Sequence, residues 1–96
     1  RIENNVILWS GNHIGHHSVI KENCFIASHA VISGSVIVGE NSFIGVNATI
    51  RDNIKIGKEN LIGAGSLITS DTDDYSVFST KGTERSRVPS YRLKRI

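Results

Sequence analysis

The chain has 96 residues, 39% hydrophobic, 21% charged and 6% aromatic, enough for one soluble domain and little more. No apolar run approaches the ~20 residues that cross a bilayer and no secretory leader pattern is visible; the single cysteine, Cys24, excludes an internal disulfide and any need for an oxidising compartment. The formal net charge of +2 conceals a split, because residues 81–96 carry Lys81, Arg85, Arg87, Arg92, Lys94 and Arg95 against Glu84, a balance of +5 that leaves −3 on residues 1–80. Such a tail attracts phosphate-bearing ligands or serves only as a solvated end.

From Ile2 onward every sixth residue is aliphatic: Ile2, Leu8, Ile14, Ile20, Ile26, Ile32, Val38, Ile44, Ile50, Ile56, Ile62 and Ile68. Chance gives that run a probability on the order of 10⁻⁷ for a repeat of this phase. A period of six fits neither a helix nor an uninterrupted strand, and suits short strands that each end in a turn. Glycine follows the anchor at 15, 39, 45, 57 and 63, where a chain turning a corner wants no Cβ. Four residues after the anchors stand mostly small residues, among them Ser18, Cys24, Ala30, Ser42, Ala48 and Ser66.

This pattern resembles the hexapeptide-repeat proteins, and the resemblance covers about residues 2–70. It implies an all-β fold, a left-handed parallel β-helix of about four triangular coils, followed by an irregular basic extension over 71–96. The handedness comes from the family, since general topology rules favour right-handed crossovers. Three hexads make a coil, so residues 18 apart stack at about 4.8 Å. The anchors then form three interior columns. The array is in phase at Ile2 with no polar cap before it, and the chain has no Met, so an N-terminal domain is expected upstream. The residues just before the anchors face outward. One such column, Ile7, Phe25, Phe43 and Leu61, is a continuous apolar stripe, expected to be a subunit contact or to be covered by the tail or the upstream domain.

Three of the four histidines lie in Gly11-Asn12-His13-Ile14-Gly15-His16-His17-Ser18. His13 to His16 spell a nucleotide-binding signature of aminoacyl-tRNA synthetases, a coincidence here because no helical pattern follows. Eighteen residues after His16 comes Gly34, and eighteen after that Asp52. An imidazole and a bare glycine therefore share one corner, a coil apart. The imidazole suits a general base and the glycine N–H an oxyanion donor, the two needs of acyl transfer from a thioester. Eighteen residues after His29 stands Asn47, which offers no such partner.

Here the chain resembles more closely the sugar acetyltransferases of the NeuD/PglD type. The matching segments are His16-His17-Ser18-Val19-Ile20, Ala30 to Gly34, Phe43-Ile44-Gly45-Val46-Asn47 and Ile62-Gly63-Ala64-Gly65. By that resemblance His16 is the general base, the Gly34 amide contacts the thioester carbonyl, and Val46 and Ala64 lie along the coenzyme A groove. His13 and His17 are expected to border the substrate. The resemblance implies acetyl-CoA as co-substrate and a sugar or nucleotide-sugar acceptor. It also implies a homotrimer acting in the cytoplasm, with no metal, nucleic acid or membrane partner. The pattern departs at His17, where the family has an orienting Glu, and at Phe25, where it has another histidine. The orienting group is then expected from a backbone carbonyl, a neighbouring subunit or Asn12.

Two rivals remain at this stage: a zinc hydratase of the gamma carbonic anhydrase kind, built on His16, His17 and His29 across subunits, and a non-catalytic trimeric scaffold. Cys24 reads as a packing residue and Trp9 as a corner residue awaiting a partner. Asp71, Asp73 and Asp74 read as a solvated exit loop. Lys81, Arg85 and Arg87 are placed to meet coenzyme A phosphates.

Overall fold

A computed structural model describes residues 1–93. The Lys94 and Arg95 part of the basic tail lies outside the described residues. Eleven strands of two residues each end on an anchor: β1 (Ile7–Leu8), β2 (His13–Ile14), β3 (Val19–Ile20), β4 (Phe25–Ile26), β5 (Val31–Ile32), β6 (Ile37–Val38), β7 (Phe43–Ile44), β8 (Thr49–Ile50), β9 (Lys55–Ile56), β10 (Leu61–Ile62) and β11 (Leu67–Ile68); a twelfth, β12 (Val77–Phe78), lies beyond the last anchor. They form three parallel sheets, β1-β4-β7-β10-β12, β2-β5-β8-β11 and β3-β6-β9. The register steps by 18, as in Phe25 opposite Phe43 and His13 opposite Val31. The result is an all-β parallel solenoid of about four turns, 52 Å long and about 25 Å across, consistent with the left-handed β-helix. The sole helical element described is a 3₁₀ turn, Ser90–Arg92, so no described helix is long and apolar enough to cross a membrane.

The anchors from Ile20 to Ile68 are buried, at 5% exposure or less. Each is worth about 1.5–3 kcal/mol of apolar burial. Ile2 and Leu8, expected inside, are 44% and 41% exposed in the first coil described.

Two corner rules emerge. The third residue after each anchor from Ile2 to Ile62 takes the left-handed conformation, as at Asn5, His17, Asn23, His29, Ser35, Asn41, Asn47, Asn53 and Glu59, with Gly11 and Gly65 in the same place. Asn recurs there because its short polar side chain tolerates positive φ. The glycines after the anchors have a different cause from the one the sequence suggests. A Cβ at Gly15 would lie 2.5 Å from the Ser33 carbonyl carbon, and one at Gly39 or Gly45 would meet the next coil's amide nitrogen at 2.5 or 2.6 Å. Coil stacking, not φ, excludes a side chain from them.

Stacking also continues past residue 70. β12 pairs with β10 in a step of 16, Leu61 opposite Val77. Where the β3-β6-β9 sheet runs out, side chains complete it: Asp71 Oδ1 accepts the Lys55 N–H at 2.9 Å and Asp74 Oδ1 the Lys58 N–H at 3.0 Å. The acidic run expected as a solvated loop is thus a cap for the last coil.

Candidate functional site

The corner that joins the β2-β5-β8-β11 sheet to the β3-β6-β9 sheet carries His16, Gly34 and Asp52 on successive coils. Its rungs are tied by Ser35 N–H to His16 O at 2.8 Å and Asn53 N–H to Gly34 O at 3.0 Å. The His16 ring covers Gly34. A Cβ on Gly34 would meet the ring's Cε1 and Nε2 at 3.1 Å and its Nδ1 at 3.5 Å. Gly34 has no positive φ, and no backbone atom is among the nearest neighbours of its missing side chain. What occupies the space is the imidazole. Among the described residues no acceptor takes the Gly34 N–H, while the Gly34 nitrogen lies 2.6 Å from where Gly15 would carry a Cβ. Gly15, unnoticed as a site residue in the sequence, lets that peptide sit where it does.

His17 is bound to His16 directly. The two Nδ1 atoms are 2.9 Å apart, with the rings edge-on at 5.0 Å and 88°. Both rings are exposed. Asn12, a candidate orienter, is not at this corner: its Nδ2 donates to the Trp9 carbonyl at 2.7 Å.

Val46 and Ala64 stack as expected, through Gly65 N–H to Val46 O at 2.8 Å. Both are exposed. They occupy the other corner of the β2-β5-β8-β11 sheet, so one chain does not bring them beside His16. His13 projects from the outer face of β2 between these corners. The Val46 corner holds an arrangement that forward stacking missed: His29 lies over Gly11, one coil back, with its Nδ1 2.5 Å from a Cβ at Gly11. Counting 18 backward from His29 would have found it.

Elsewhere, Cys24 is buried and donates to the Gly39 carbonyl at 3.2 Å. Burial pushes its thiol pKa up, as befits packing and not nucleophilic attack. Phe25 and Phe43 stack at 5.4 Å, and Trp9 meets Phe25 edge-on at 5.0 Å. The outer apolar column therefore has ordered aromatic contacts while much of it stays exposed. Among the described residues no three His, Cys, Asp or Glu side chains converge to hold a metal ion.

The repeat of stacked hexads is matched by the bacterial transferase hexapeptide (six repeats) family over residues 1–34 and 35–70. The chain belongs to that family. Its hexapeptide solenoid is similar to serine acetyltransferase isoform 3 of Entamoeba histolytica, solved with cysteine. Identity is 24%, the alignment covers 88% of this chain and 38% of that one, and the TM-score is 0.44. This hexapeptide chain thus spans well under half of that enzyme's length. No curated protein matches it.

Proposed function

We propose that this hexapeptide-family chain is an acyltransferase that moves acetyl from acetyl-CoA to an amine or hydroxyl of a sugar, a nucleotide-activated amino sugar above all. The observation that carries the reading is the His16 imidazole lying on a glycine that no backbone constraint explains. In this reading His16 Nε2 takes the proton of the attacking amine or hydroxyl, a service worth about 10²–10⁴-fold. The Gly34 N–H donates to the thioester oxygen as charge builds there; such donors contribute about 10²–10³-fold. His13 and His17 border the acceptor's approach. The sugar class rests on the sequence resemblance, and family membership supports the transferase class.

Acetyl-CoA is the acyl donor in this proposal. The exposed Val46 and Ala64 surface suits its apolar arm, and the two corners are brought together when a second copy packs alongside, as in a homotrimer. The apolar column of Ile7, Phe25, Phe43 and Leu61 gives such copies a face to bury. The proposed setting is the cytoplasm. The test is release of free coenzyme A thiol when the full-length protein meets acetyl-CoA and a panel of nucleotide sugars. Turnover with an amino sugar is expected; turnover with a non-sugar amine alone would refute the acceptor class, and none with any acceptor would refute the enzyme.

A further inference from the structure

We infer that His17 is a positioning residue whose Nδ1 accepts the Nδ1–H of His16 while His16 acts as base through Nε2. The inference rests on the acyl-transfer reading and names the group that completes its site. A neutral imidazole has one N–H and one lone pair, so a base using one nitrogen must keep its proton on the other. At His16, Nε2 lies 3.1 Å from a Cβ built on Gly34 and Nδ1 3.5 Å from it, and Nδ1 is the nitrogen engaged by His17, 2.9 Å from its Nδ1.

Two ring nitrogens at that distance share a single proton. In the resting pair the bond can run in either direction, because each ring can donate or accept. Proton transfer removes that freedom. When the acceptor's proton arrives on Nε2, His16 carries hydrogens on both nitrogens, and the bond can run only from His16 to His17. It is then a charge-assisted bond, stronger than in the resting pair. His17 therefore favours the state after proton transfer over the state before it, which is what lowers a barrier. No proton leaves the pair: one moves from the acceptor to Nε2, and the shared one stays on His16 Nδ1.

The backbone makes the contact possible. His17 stands at the left-handed corner position with φ of 60°, where its ring meets the preceding side chain edge-on. His29 holds the same corner position, φ 59°, but follows Ser28 and has no ring to orient.

The experiment compares His17→Ala, His17→Glu and His17→Lys in the full chain, reading kcat, acetyl-CoA affinity and the ¹⁵N NMR signals of the His16 ring. His17→Ala is expected to lower kcat roughly 10- to 100-fold, the range seen when metal-ligating histidines lose their orienting partners, with acetyl-CoA affinity within twofold. Glu, which only accepts, restores most of the rate and holds His16 as its Nδ1–H tautomer. Lys, which only donates, restores none and drives His16 to the Nε2–H tautomer. Wild-type kcat in His17→Ala, or equal rates for Glu and Lys, overturns the inference. Should the wild type itself turn over no acceptor, the acyl-transfer reading fails separately; unchanged His16 nitrogen shifts in His17→Ala then refute the hydrogen bond itself.

Discussion

Two corners of the same sheet each lay an imidazole on a glycine, and they do so in opposite order. At one, His16 lies on the coil below and Gly34 above; at the other, Gly11 lies below and His29 above. Gly11 stands at the left-handed corner position, with φ of 70°, where the backbone favours glycine with or without His29. Gly34 has no such demand. The His16 ring also has a partner nitrogen at 2.9 Å, whereas among the described residues the His29 ring has none. Stacking at a spacing of 18 therefore produces the juxtaposition at both places, and only at the His16 corner does a second ring bond to the imidazole.

The sharpest way to break that comparison is to remove each imidazole. His16→Ala should lower kcat by roughly 10²–10⁴-fold with acetyl-CoA affinity nearly intact, and His29→Ala should stay near wild type. Steady-state kinetics on both decides; equal losses would make the corners equivalent.

A second contrast lies between the strands that feed the two corners. Those leading into the Gly11–His29 corner carry the Phe25–Phe43 stack and are the proposed contact between copies. Phe43→Glu would bury an uncompensated charge there, at a cost of about 3–5 kcal/mol, and light scattering should show dissociation. A folded variant of unchanged size would refute the interface.

The two glycines at the His16 corner separate structure from function. Gly15→Ala forces the Ser33–Gly34 peptide to shift and should cost about 1–3 kcal/mol in thermal unfolding. Gly34→Ala meets only the imidazole, so it should spare stability while displacing the ring, with a kcat loss of roughly 10- to 100-fold. Matching changes in melting temperature would dissolve the distinction.

The smallest expected effect concerns the tail. Lys81, Arg85 and Arg87 are exposed, and among the described residues the one ion pair is Arg1 with Glu3. Changing all three to Ala should weaken acetyl-CoA binding by a few-fold in calorimetry, and less for dephospho-coenzyme A. Equal affinity would leave the tail a solvated end.

Much of the site was legible because a solenoid converts sequence distance into spatial distance. Every coil repeats after 18 residues, so His16 over Gly34, the Val46–Ala64 step and the outer Phe25–Phe43 pair could be read from numbers alone. The same rule failed at the ends, where the repeat changes. Asp71 and Asp74 look like a polar loop because their task is to replace a missing strand, and β12 was hidden by its step of 16.

The sequence by itself determined which residues face inward, since an aliphatic every six residues must keep its phase to stay buried. The family resemblance, with three hexads per coil, then gave the interior columns and the residues that share a corner. Tertiary structure alone decided why each glycine is there, that β12 continues the array, and that His17 bonds to His16. Those outcomes depend on how closely coils approach and on the left-handed turn at each corner, and neither interatomic contact nor ring orientation is encoded in a residue count.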